Sequence, residues 1–71
     1  MIPLIYGKEN SFLIVKKIVL DKKTKRHLEN LGILVGSQIN LITSYNGDVI
    51  LKVKDGRLAI SKNLATKIFV E

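Results

Sequence analysis

Few residues of this chain are of types that carry out chemistry, and their spacing argues against most reactions. The single histidine, His27, lies in a lysine-rich stretch without a serine or aspartate partner motif, so no nucleophile-base pair is in view. A metal would need three or more donors. Glu29 is a poor second ligand, because two residues along a helix turn a side chain to a different face. Gly7-Lys8 lacks the second glycine, the Ser/Thr after the lysine and the following helix of a phosphate loop, and is read as a turn. The chain has no cysteine, which excludes thiol redox chemistry and thiolate zinc sites. No catalytic, cofactor-binding or metal-binding residue is therefore assigned.

Interaction surfaces remain. Tyr45 precedes Asn46-Gly47 and is expected to project at a hairpin tip. Val49, Leu51 and Val53 alternate with Ile50, Lys52 and Lys54, which places Ile50 outside the core beside two lysines. Tyr45, Ile50, Lys52 and Lys54 are the candidate partner-binding residues, suited to an acidic partner. Leu34 and Val35, in the irregular connection after the helix, are further anchors, although core packing is the plainer reading of Leu34.

The elements that would carry these residues fit a single small domain spanning 1–71. The chain has 71 residues, a hydrophobic content of 46% and a formal net charge of +6 from twelve basic and six acidic residues. Such a charge raises the question of nucleic acid. The lysines are spread over several elements, however, and no basic-aromatic interleaving offers a stacking platform, so no nucleic acid is expected. The longest apolar-rich segment, 12–20, is interrupted by Lys16 and Lys17 and falls short of the roughly 20 residues of a spanning helix. The N-terminus lacks a signal-peptide pattern, and a cytoplasmic location is expected, without membrane insertion.

Strand patterns run over 12–20, 37–43, 48–54, 57–60 and 67–70. Asp21 is a helix N-cap, a helix is expected over 22–31, and Gly32 supplies the left-handed stop. Ile33 and Leu34 then re-enter the core, and Gly36 turns the chain into the next strand. Asn46-Gly47 marks a type I′ hairpin, Asp55-Gly56 repeats the device, and 61–65 is a tight turn or single helical turn. The expected core is Leu28, Leu31, Ile39, Leu41, Val49, Leu51, Val53, Leu58, Ile60, Ile68 and Val70. Together these predict a mainly β fold, a small SH3-like five-stranded barrel with one short helix between strands 1 and 2, closed so as to remove most sheet edges. An OB barrel places its helix between the third and fourth strands instead.

Gly7-Lys8-Glu9, Leu28 with Leu31-Gly32-Ile33, Gly36, the strand Ile39 to Ile42, Gly47-Asp48, Gly56, Leu58-Ala59-Ile60, Ala65, Ile68 and Val70 together resemble the FeoA family over nearly the whole chain. Its most specific element is LxxLGI followed by a glycine three residues on. The resemblance implies a small cytoplasmic SH3-like protein that accompanies FeoB, the ferrous iron transporter with a cytoplasmic GTP-binding domain, and modulates its assembly or GTP cycle without being an enzyme. It leaves the oligomeric state open. A related domain ends the iron-dependent repressors. The alternatives are a nucleic-acid-binding small barrel, a detached regulatory domain of such a repressor, and a metal-binding protein.

Overall fold

The computed structural model describes residues 1–54 and 56–71. Six strands form one antiparallel sheet: β1 (Ile2–Pro3), β2 (Ser11–Ile18), β3 (Gln38–Tyr45), β4 (Asp48–Val53), β5 (Gly56–Ile60) and β6 (Ile68–Val70). Helix α1 (Lys22–Asn30) joins β2 to β3, and one helical turn, α2 (Lys62–Ala65), joins β5 to β6. The spatial order is β1-β6-β2-β3-β4-β5. The sixth strand, β1, was not expected. It pairs Ile2 with Val70, and the 3-10 turn at Leu4–Tyr6 that follows buries Leu4 completely.

Strand β2 holds the sheet together because two different strands use its two halves. Ser11 to Ile14 pair with β3, whereas Val15 to Ile18 pair with β6. The register slips at Lys16, where one extra residue is inserted between Val15 and Lys17. Such a bulge resets the alternation of faces. Both Lys16 and Lys17 consequently face water, while Val15 and Ile18 on either side are buried. The lysine pair that interrupts the hydrophobic run in sequence is thereby accommodated without burying a charge. A second bulge, at Ile42, separates the pairs Leu41↔Leu51 and Thr43↔Ile50.

Asp21 caps α1 as expected, its carboxylate accepting the Thr24 N–H at 3.2 Å. The helix ends one residue earlier than expected, with Leu31 as C-cap and Gly32 at φ +99°. The Gly32 N–H donates to the Glu29 carbonyl and the Ile33 N–H to the Leu28 carbonyl, at 3.0 and 2.9 Å. This pair of bonds is a Schellman motif. Its usual hydrophobic contact joins Leu28 and Ile33, both buried.

Asn46 (φ +52°) and Gly47 (φ +91°) both adopt the left-handed backbone of a type I′ hairpin between β3 and β4. Gly47 also runs close to α2, since a Cβ there would lie 2.7 Å from the Lys62 side chain. Asp48, next along, accepts the Lys62 N–H at 2.8 Å and so caps α2 from another strand. The Asp55 half of the expected Asp55-Gly56 turn lies outside the described residues.

Most of the expected core is buried, with corrections at its margins. Leu31 is 36% and Leu34 43% exposed; the first leaves the helix face at the cap, and the second sits in the loop beyond it. Val53 and Leu58 are half-buried against the core. Leu4, Val15, Ile18 and Ala65 are buried but were not in the expected set. The sheet also does not close completely. Among the described residues, its end strands β1 and β5 are not paired with each other.

Candidate functional site

The two glycines that bracket 32–36 shape an irregular stretch that exposes Leu34 and Val35. After the Schellman turn, Leu34 and Ser37 bind each other reciprocally. The Ser37 N–H and hydroxyl both donate to the Leu34 carbonyl, at 2.9 and 2.7 Å, and the Leu34 N–H donates to the Ser37 Oγ at 3.2 Å. Gly36 (φ +95°) completes the turn and donates its N–H to the Val15 carbonyl. With its backbone held in this way, Leu34 stands out from the surface as a fixed apolar group.

Opposite it lies the β4–β5 hairpin. Between the two runs an open groove of about 780 Å³, with Leu31, Leu34, Val53 and Leu58 as apolar lining and, among the described residues, Lys54, Arg57 and Glu29 as charges. A smaller recess of about 210 Å³ continues it past Gln38 and Val53 to Phe12 and Lys52. Phe12 is 68% exposed. The combination of apolar lining and a mostly basic rim suits a partner with apolar and acidic side chains.

The candidate residues read from the sequence fall into separate places. Lys52 and Lys54 are exposed at the groove end of β4. Tyr45 is 78% exposed beside the β3–β4 turn, at the opposite end of that strand and on the order of 20 Å away at 3.3 Å per residue. Ile50 faces outward but is only half-buried, not exposed, because it stands between its cross-strand neighbours Thr43 and Ala59. A patch uniting Tyr45 with Lys54 is therefore not formed. Leu31, Phe12 and Arg57 were missed as surface residues. A signal for Leu31 was present, since a residue directly before a left-handed C′ glycine has already left the regular helix face.

His27 is exposed on α1, and among the described residues no three His, Cys, Asp or Glu side chains lie together as metal donors. Among the described residues no helix is long and apolar enough to cross a membrane.

Glu9 has a structural task. Its carboxylate accepts the Thr43 hydroxyl at 2.6 Å and the Ser44 N–H at 2.7 Å, just after the β3 bulge. These bonds, the Thr43 one foremost, hold its pKa below the ordinary 4.5. A depressed carboxyl pKa means that the stabilisation is complete above the unfolded value and fades as the pH falls through the folded one. Glu9→Gln is thus expected to lower the melting temperature at neutral pH and to converge on the parent protein in acid, once the pH has fallen below the folded pKa. An unchanged gap across thermal melts at both pH values would show that Glu9 does not act through its charge. Asp21, also depressed by its hydrogen bonds from Thr24, titrates in both proteins and cancels in the comparison.

The curled antiparallel sheet, with its long shared β2 and short helix after it, defines a small SH3-like domain. The FeoA domain profile matches residues 3–71, and the chain belongs to the FeoA family. A Methanocaldococcus jannaschii relative, whose name, given by inference, is Fe(2+) transport protein A, is 41% identical over 71 residues, covering 100% of this chain and 87% of its own. The crystal structure of an iron uptake regulatory protein, FeoA, superposes with a TM-score of 0.85 at 28% identity, over 99% of this chain and 93% of that one. The solution structure of an FeoA-like protein from Clostridium acetobutylicum gives 0.81 at 26%, over 99% and 84%. The fold also recurs within ScaR, solved with bound Zn2+, with a TM-score of 0.84 over 100% of this chain and 36% of that one; at 22% identity the likeness concerns the fold alone.

Proposed function

We propose that this protein is a non-enzymatic cytoplasmic accessory of ferrous iron uptake, which docks on the cytoplasmic region of an FeoB-type transporter and modulates its assembly or GTP cycle. Family membership supports the iron-transport context. The observation that carries the docking role is the groove. Leu31 and Leu34 are exposed and held in place by the turn hydrogen bonds, and they face Lys54 and Arg57 across an open cleft.

An interface seated there has modest area, in keeping with a regulatory contact that forms and dissociates. Ferrous ion is the transporter's cargo in this reading. The accessory protein neither holds it nor hydrolyses nucleotide.

Titrating isotope-labelled protein with the purified cytoplasmic region of its transporter tests this reading. Shifts are expected at 31–37 and 53–58. The double variant Lys54→Glu/Arg57→Glu should associate at least tenfold more slowly and with less salt dependence, at a nearly unchanged melting temperature, because exposed rim charges steer encounter more than they stabilise the fold. No shift at high concentration, together with tight binding to RNA or DNA, would replace the transporter reading with the nucleic-acid one.

A further inference from the structure

The two ends of the sheet are protected very differently. Exposed sheet edges invite another strand, and proteins commonly blunt them with short strands, proline, charge or bulges. At one end, β1 is two residues long and contains Pro3. At the other, β5 runs for five residues, Gly56–Ile60, with no proline and only Arg57 as a charge. Its ladder to β4 is regular from Val53↔Gly56 to Val49↔Ile60. Among the described residues, the β5 backbone makes no hydrogen bond other than those to β4. Half of its N–H and C=O groups, those directed away from β4, are left for water or a partner.

The groove reaches the first three residues of this strand. Gly56, Arg57 and Leu58 contribute to its lining, with Leu31 and Leu34 on the far side, and a side chain at Gly56 would meet no atom within 4 Å. We propose that the β5 edge and the adjoining groove take up an extended, acid-bearing segment of a partner protein as an added strand.

In this arrangement main-chain bonds to β5 supply affinity, while alternate side chains of the segment reach the apolar groove lining, the division of labour found in strand addition. Five residues of edge span roughly 17 Å, so the occupant is a short segment. Its acidic character follows from the charges. Among the described residues, Lys54 and Arg57 outnumber Glu29 at the groove, and Lys52 lines the continuing recess. A second copy of this chain fits poorly there, because it would bring its own net charge of +6 against the same lysines. The inference rests on the transporter-docking reading for the partner's identity, but not for the chemistry of the site.

The test uses a nine-residue blocked peptide that alternates Glu with Val, compared with the same peptide carrying Lys for Glu and with one N-methylated at alternate amides. The Glu peptide should shift the amide signals of β5, Lys54, Leu31 and Leu34 and slow hydrogen exchange along β5. N-methylation on the edge that pairs should cost at least tenfold in affinity, and the Lys peptide should be weaker by a similar factor. Leu34→Glu should also bind the Glu peptide at least tenfold more weakly, with its own spectrum otherwise unchanged. Indifference to N-methylation in both alternate patterns would overturn the proposal. So would equal binding of the Lys peptide, shifts centred on Tyr45 or on the basic residues of α1, concentration-dependent self-association through β5 without peptide, or no shift at millimolar peptide. The same exchange experiment with the transporter's cytoplasmic region separates the two readings. Binding without protection of β5 removes strand addition and keeps docking, whereas peptide binding at β5 without transporter binding does the reverse.

Discussion

Leu51→Ala is expected to lower the stability of this domain by about 2–5 kcal/mol, the range for truncating a fully buried leucine. Leu51 has no exposed surface. It lies at the middle of β4, directly opposite Leu41 on β3 and Leu58 on β5, so the missing atoms leave a void shared by three strands. Strands held in register on both sides relax little into such a void, which favours the upper half of that range. A domain this small has a thin margin, and each 1 kcal/mol shifts its melting temperature by roughly 4–8 °C. Thermal melts should therefore show a loss of well over 10 °C, or no cooperative transition at all. A melting curve like that of the parent would mean that β4 is not registered as described.

Gly32→Val is expected to be the most damaging loop substitution, and clearly worse than Gly32→Ala. With φ at +99°, any Cβ is disfavoured, and a β-branched side chain more so. The space itself is not prohibitive, because a Cβ would stand 3.7 Å from Val53 Cβ. Alanine therefore pays mainly the backbone cost, about 1–2 kcal/mol, while the extra methyls of valine also crowd Val53. If the chain escapes by flattening the turn, the Ile33–Leu28 and Gly32–Glu29 bonds break and the groove wall at Leu31 and Leu34 shifts with them. Chemical denaturation of both variants, with the amide signals of 31–37 as a local readout, checks the order. Equal stability of the alanine and valine proteins would contradict the left-handed turn.

Where the sequence was readable, single residues dictated the backbone. Asp21, Gly32, Gly36 and Asn46-Gly47 each have a local conformational reason that no distant contact overrides, and the helix and the middle hairpin follow from them. The alternation through Val49, Leu51 and Val53 likewise identified the inward face of β4. What escaped is non-local. Two residues of β1 carry no periodicity, and Leu4 is buried because β6 and α2 pack against its turn from the other end of the chain. The bulge at Lys16 hides the true alternation of β2, making Val15 and Ile18 look like members of a continuous apolar run. As for the site, the lysines of β4 were visible from strand parity, but the groove was not, because it is created by bringing the end of α1 against the β4–β5 hairpin. Tyr45 and Lys54 stand at opposite ends of the β3–β4 hairpin, because Tyr45 pairs with Asp48 at the start of β4.

The division of β2 between two partners also bears on how the chain reaches this structure. The β3–β4–β5 half is joined by short turns, with Tyr45 paired to Asp48 and Val53 to Gly56. The other half brings Ile18 to Ile68 and Ile2 to Val70. Loop-closure entropy grows as the logarithm of loop length, so closing 18 to 68 rather than 45 to 48, a roughly seventeenfold longer loop, costs about 2.5 kcal/mol more before any contact rewards it. The three-stranded meander is accordingly the part that assembles early, and the seam along the second half of β2 closes late. Until that seam closes, Val15 and Ile18 have only half of their shelter, and the interval in which β6 is still absent is when this chain is most open to misassociation with its neighbours.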